Sequence, residues 1–266
     1  MFKAEPSIVN LADWFRSETG LYALEWEKAR FDALVADVFG YHALQVGMPE
    51  LDFLENNRIA FKMHSFPSNY ANSSDKRLNI SVLAESELLP VASQSIDLLL
   101  LPHGLEVSMN PHQVLREAER VLVPEGRVVI SGFNPWSLWG LRHRSPFCNP
   151  WLPVQATGLV SLPRLKDWLK LLSFDLDRGH FGCYVPPSSS KKWIDRFSFM
   201  EQAGDRWWPV CGGMYVVSAT KRVSGMRLLT PDWKKGRKVA GARATVTGVA
   251  TSHTTNSLKE SQDVSN

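Results

Sequence analysis

The sequence predicts an α/β protein with a doubly wound, mostly parallel sheet covered by helices on both faces. Three observations carry that expectation. Ile96 to Leu101 (I-D-L-L-L-L) is a short apolar run, the pattern of a strand buried on both faces. Asn110 to Leu122 follows, with Val114, Leu115, Ala118, Val121 and Leu122 on one helical stripe. Arg127 to Ser131 is a second buried run, reached through a turn at Pro124-Glu125-Gly126. A strand, a covering helix and a second strand make a right-handed βαβ unit with parallel strands. Ligands of such sheets sit past the carboxyl ends of the strands. Those ends are Pro102-His103-Gly104 and Gly132-Phe133-Asn134-Pro135.

The other elements follow from spacing. Trp14 and Phe15 begin an amphipathic piece, and Leu24 to Val38 reads as a helix with Leu24, Phe31, Leu34, Val35 and Val38 on one face, ended by Gly40. Tyr41 to Val46 is the first strand. Pro49 suits the first turn of a short helix over Leu51, Phe53 and Leu54. Ile59 to Phe66 and Leu78 to Leu83 are the second and third strands, with a polar loop from Pro67 to Lys76. The fourth strand is Ile96 to Leu101. Asn110 is placed to cap the next helix, with Pro111 at its first position and Gln113 completing a capping box. Trp136 and Trp139, three apart, either cover a pocket or pad a helix onto the sheet. Ser161 caps a helix from Leu162 to Leu172. Phe174 to Phe181 is a strand, Lys191 to Met200 a helix and Met214 to Thr220 the last strand.

Composition narrows the function. The 266 residues are 44% hydrophobic, enough for a substantial core, and no stretch approaches the roughly 18 apolar residues of a membrane span. The first residues lack the apolar core of a secretory signal. Cys148, Cys183 and Cys211 form no C-x-x-C pair, which argues against a disulfide framework or a metal site and for a reducing, cytoplasmic compartment. The net charge of +3 is unevenly spread: the residues from Lys221 onward carry +6 and the preceding 220 carry −3. The expected organisation is a folded domain over residues 1–223 and a basic, disordered tail over 224–266, where Gly, Ala, Thr, Ser and Asn dominate. The body gives no electrostatic reason to expect nucleic acid. The tail cluster Lys234-Lys235-Gly236-Arg237-Lys238 leaves RNA open as a partner of that segment alone.

The stretch from Ser81 to Asn134 carries a specific pattern. It supplies Glu85, Leu89-Pro90, Ser95-Ile96-Asp97, His103-Gly104-Leu105-Glu106, Leu115-Arg116-Glu117-Ala118-Glu119-Arg120-Val121-Leu122 and Pro124-Glu125-Gly126, in register with the apolar strands. This resembles a class I S-adenosylmethionine-dependent methyltransferase of the type-11 group of small-molecule methyltransferases. The resemblance implies a Rossmann-like, seven-stranded methyltransferase sheet with a late antiparallel strand. It implies S-adenosyl-L-methionine as cofactor and a small-molecule methyl acceptor. The lack of a spanning run and of a metal-ligand cluster leaves neither a membrane nor a metal as an expected partner.

The resemblance also implies site residues. Gly47 matches the surviving glycine of the cofactor loop, Glu85 the acid facing the adenine side, and Pro102 the end of strand four beside the methyl group. His103 is a candidate for taking a proton from the acceptor if its pKa lies near neutral. Asn134 is a candidate for holding the substrate, or a turn residue before Pro135. Glu106 reads as a solvated or capping acid, and Asp97 as a structural one. The cofactor half departs from the group: Met48, Pro49 and Glu50 replace small residues after Gly47, and Phe61-Lys62-Met63-His64-Ser65 lacks an acid for the ribose. A methyltransferase-shaped binding or scaffold protein without cofactor is therefore the alternative reading.

Overall fold

The structure, a computed structural model, describes residues 8–66, 81–145, 151–154, 158–188 and 190–223. The expected loop from Pro67 to Lys76 and the tail from 224 lie outside the described residues, as does the first part of the third strand.

The sheet has seven strands: β1 (His42–Val46), β2 (Phe61–Phe66), β3 (Ser81–Leu83), β4 (Ile96–Leu101), β5 (Leu122–Phe133), β6 (Phe174–Gly182) and β7 (Met214–Lys221). Their order is β3-β2-β1-β4-β5-β7-β6. β1 through β5 pair in parallel, and β7 runs antiparallel between β5 and β6. The order reverses between β1 and β4, so the crevice expected to take a ligand opens beyond Val46 and Leu101.

Alternation along β4 decides what each face packs against. Leu98 and Leu100 join Phe31, Leu34, Phe133 and Trp139 on one side. Leu99 and Leu101 join Val114, Leu115, Val121, Leu165 and Leu169 on the other. The side-chain period of two sends neighbours to opposite faces, and both faces are covered by helices, so the strand is apolar at every position from Leu98 to Leu101.

The first face is covered by α1 (Ile8–Phe15) and α2 (Glu18–Val35). Trp14 and Phe15 end a helix rather than begin one, because Ser17 caps α2 by accepting the Gly20 N–H at 3.1 Å. Gly20 lets the two helices meet: a Cβ there would lie 2.1 Å from the Trp14 carbonyl oxygen. α2 stops at Val35, before Gly40, because the Asn57 side chain donates to the carbonyls of Val35 at 2.6 Å and Val38 at 3.3 Å. Asp97 is structural as expected, accepting the backbone N–H groups of Tyr41 and His42 at 2.8 and 2.9 Å.

The second face carries α4 (Pro111–Val121) and α6 (Leu162–Leu171), and α3 (Gly104–Val107) links β4 to α4. Asn110 and Ser161 precede these helices without a side-chain capping bond, so Pro111 and the backbone start them instead. The end of α4 is closed by Lys221: its ammonium, on a residue 4% exposed, donates to the carbonyls of Glu119 and Leu122 at 2.5 and 3.0 Å. Pro124-Glu125-Gly126 does not separate two elements. β5 runs through it, Glu125 takes a positive φ of 63°, and the pairing register with β4 shifts there.

Between β5 and β7 lie α5 (Leu138–Arg144), α7 (Lys191–Arg196) and α8 (Phe199–Trp207). The expected helix from Lys191 to Met200 is two helices, broken at Phe197 and Ser198. The expected helix after Pro49 is a series of turns, for a reason found in the site. No helix among the described residues is long and apolar enough to cross a membrane.

Candidate functional site

The crevice is built from the ends of β1 and β4. After Val46 the backbone turns through Gly47 at φ +89° and Met48 at φ +51°. Glycine enters the first conformation without strain. The Gly47 N–H donates to Ser65 at 2.8 Å, continuing the β1–β2 ladder. An ideal Cβ on Gly47 would meet only the Pro102 carbonyl oxygen, at 3.6 Å. The fold therefore brings Gly47 and Pro102 together.

The loop after Gly47 is wound around Gln45. This side chain is fully buried, and its amide donates to the carbonyls of Gly47, Met48 and Leu51, at 2.6 Å to Leu51. Its oxygen accepts the Phe53 N–H at 2.9 Å. Carbonyls that point inward at Gln45 cannot start a helix, which is why Pro49 begins none. Arg16 reaches across from the α1–α2 turn to Glu50 at 2.8 Å. A cavity of about 110 Å³ remains beneath, among Phe15, Leu24, Met48, Pro49 and Leu51.

Glu85 stands apart. It is exposed, past the end of β3, two strands from β1. Asn134 is buried with its polar atoms engaged by the chain: its amide donates to Val210 at 2.8 Å and Gly212 at 2.9 Å, and its oxygen accepts the Trp136 N–H at 3.1 Å. These bonds close the loop between β5 and β7. Trp139 is the padding residue, with its indole N–H on the Val185 carbonyl at 2.7 Å, while Trp136 is exposed.

His103 departs most from expectation. It is fully buried, its backbone takes a positive φ of 52°, and its N–H donates to the Ser131 hydroxyl at 3.1 Å. Its ring packs against Phe15 and Phe133. Nδ1 lies 2.6 Å from Glu106 Oε2, and Glu106 Oε1 accepts the Phe133 N–H at 2.6 Å. Nε2 lies 3.5 Å from Glu27 Oε1. Burial alone would lower the pKa of the imidazole. The charge of Glu27 and the hydrogen bond to Glu106 outweigh it and raise the pKa to about 10. At neutral pH the ring holds its proton, so His103 cannot take one from an acceptor. Glu106 is buried rather than solvated; burial raises its pKa, against the pull of His103.

Glu27 was not singled out by spacing, yet it carries the free acceptor atoms. Among the described residues neither of its carboxylate oxygens has a hydrogen bond, although both are buried. The Tyr22 hydroxyl and the Trp151 indole N–H are also buried without one. A signal for Glu27 existed in the sequence: with Ala23, Phe31 and Leu34 it forms the buried stripe of α2, and an acid in an apolar stripe calls for a reason. Gln45 had a similar signal, as the one amide side chain in β1.

The residues present fit one end of S-adenosylmethionine. The glycine turn against Pro102 leaves the backbone open to close approach. Among the described residues, β2 ends in Ser65 and Phe66 and offers no carboxylate for the ribose. No group of side chains among the described residues is arranged to hold a metal ion.

Comparison with known proteins places this geometry. The sequence profile described as a methyltransferase domain matches residues 58–130. An uncharacterized protein of Escherichia coli K12, YafS, is 37% identical over 139 residues, 52% of this chain and 55% of that protein. The chain thus spans about half the length of the curated relative it matches. Among solved structures, an S-adenosylmethionine-dependent methyltransferase from Thermotoga maritima, a possible histamine N-methyltransferase, superposes with a TM-score of 0.54 at 16% identity, over 80% of this chain and all of the other. A putative methyltransferase of Haloferax volcanii, solved with its Trm112 activator, gives 0.56 at 11% identity, over 82% and 99% of the two chains. Residues 58–130 match the methyltransferase-domain family, and the chain has the fold of class I S-adenosylmethionine-dependent methyltransferases.

Proposed function

We propose that this protein transfers a methyl group from S-adenosylmethionine to a small-molecule nucleophile, at the carboxyl ends of β1 and β4. The observation that carries the reading is the turned backbone of Gly47 lying against Pro102, directly beside the buried His103. Gly47 and Pro102 would hold the methionine end of the cofactor, and Glu85 would meet its adenine side. The bound cofactor supplies an electrophilic methyl group on a sulfonium.

The chain's own residues do the rest. α1 and α2 close over the site and exclude water. His103, kept protonated between two carboxylates, fixes Glu27 and Glu106 relative to the end of β4. The Glu27 carboxylate, which has no hydrogen bond among the described residues, accepts the hydrogen bond, and then the proton, of the nucleophile. Holding the acceptor in line supplies most of the acceleration, on the order of several kcal/mol. A cytoplasmic location agrees with the free thiols of Cys183 and Cys211.

Incubation of the full chain with methyl-labelled S-adenosylmethionine and a low-molecular-mass cell extract tests the activity. Label should appear in the small-molecule fraction and fall with Glu27→Gln. Label that stays on the cofactor whatever extract is supplied would contradict it.

A second reading, a methyltransferase-shaped binding protein without cofactor, is favoured by Phe66 at the ribose position and by the loop carbonyls turned inward onto Gln45.

A further inference from the structure

The far side of the β5–β7 connection carries a second concavity that shares no lining residue with the cofactor loop. It is a groove of about 580 Å³ between α5 and α8, lined by Leu138, Phe199, Met200, Trp207 and Trp208 over a floor of Tyr184. The floor is built to last: the Tyr184 hydroxyl donates to the Pro209 carbonyl at 2.8 Å, and Gly204 of α8 sits so close that a Cβ would lie 2.2 Å from the Tyr184 ring.

The rim is apolar and exposed. Trp207 is 70% exposed, Trp208 60% and Phe199 63%. The patch continues onto α7, where Trp193 stacks on Phe197 at 5.5 Å and Phe197 meets Phe199 at 6.1 Å. On α5 it continues to the exposed Leu141. Contiguous exposed apolar surface of this kind marks an interaction site.

Charge selects the occupant. Lys191, Lys192, Arg196 and Arg206 are exposed on α7 and α8, and none has a carboxylate within ion-pair distance among the described residues. Asp195 and Asp205 share these helices, and Glu201 turns inward to accept the Tyr184 N–H. Arg142 and Arg144 add positive charge from α5. A second copy of the chain would set these cations against themselves. An anionic bilayer would attract them, and tryptophan, with an apolar body and a polar N–H, favours the boundary of such a bilayer.

We propose that the face formed by α5, α7 and α8 docks on an anionic phospholipid surface, with the groove taking apolar lipid. This reverses the sequence-based expectation of no membrane partner. That expectation rested on the lack of a spanning segment, and a peripheral contact needs none.

The test is co-sedimentation of the full chain with vesicles of phosphatidylcholine alone or mixed with phosphatidylglycerol. The chain should pellet with the anionic vesicles, less so at high salt, with tryptophan emission moved to shorter wavelength. Trp207→Ser with Trp208→Ser should weaken pelleting by about tenfold or more. Both positions are exposed, so the thermal midpoint and S-adenosylhomocysteine binding should stay unchanged, which separates this result from the fate of the methyltransferase reading. No pelleting with either vesicle would overturn the proposal. So would pelleting that survives the double substitution, which would place the contact in residues 224–266. A concentration-dependent dimer that the substitution dissolves would overturn it in favour of self-association.

Discussion

The imidazole of His103 and the carboxylate of Glu106 meet at 2.6 Å with both side chains fully out of water. The pair sits at the carboxyl end of β4, and Glu27 closes it from the other side at 3.5 Å. A protonated ring between two carboxylates is stable there only as a unit. Removing one member leaves the others as uncompensated buried charges.

His103→Ala is expected to cost about 3–5 kcal/mol of unfolding free energy. Urea unfolding of the variant beside the native chain measures it. A loss below about 1 kcal/mol would mean that the three groups do not depend on one another.

The same cluster sets a pH dependence. A group whose pKa is higher in the folded than in the unfolded chain stabilises fully below the unfolded value and loses its effect as pH rises through the folded one. For His103 that interval runs from 6.5 to about 10. Glu106, raised by burial, acts in the same direction. Unfolding free energy should fall from about pH 7 to about pH 9 by up to roughly 1.4 kcal/mol per pH unit. Histidine NMR gives the direct reading: the His103 ring should still be protonated at about pH 8. A neutral ring at that pH would contradict the assignment.

Gln45→Leu removes the amide around which the loop after Gly47 is wound. It leaves the Phe53 N–H and the Leu51 carbonyl without their partner. A loss of about 1–3 kcal/mol follows from stranding such groups. Hydrogen exchange at the Phe53 amide should speed up, and S-adenosylhomocysteine binding should weaken with it. Unchanged exchange at Phe53 would show that the loop holds itself.

Gly20→Ala tests the cover of the site. The new methyl would meet the Trp14 carbonyl oxygen and the Phe15 backbone, neither of which can yield as a side-chain tip would. α1 should detach from α2, and limited proteolysis should cut near residues 15–17 faster than in the native chain. Equal cutting rates would mean that the turn tolerates the methyl.

How much of this was legible in the sequence depends on where the physics is local. β4 was readable to the residue, because a strand buried on both faces writes itself as an apolar run, interrupted here only by Asp97 near its start. The Glu117–Arg120 pair on α4 was visible as part of a motif, and the structure gives its reason: Arg120 also holds the carbonyls of Leu89 and Val91, fixing the approach to β4. The helix expected after Pro49 failed because a distant choice, the inward amide of Gln45, had already claimed the loop's carbonyls. His103 was found for its type and misread for its chemistry. Its pKa is set by Glu27, 76 positions earlier in the chain, and no spacing rule joins the two. Lys221 closing α4 from the last strand is another long-range contact of this sort, invisible until the sheet is assembled.

The central claim, that Gly47 and Pro102 mark a working cofactor site, is tested most directly by titration calorimetry of the full chain with S-adenosylhomocysteine. The account predicts saturable, one-to-one binding that Gly47→Trp abolishes, because the indole would fill the space facing the Pro102 carbonyl. Absence of binding at millimolar ligand, or binding that Gly47→Trp leaves intact, would contradict it.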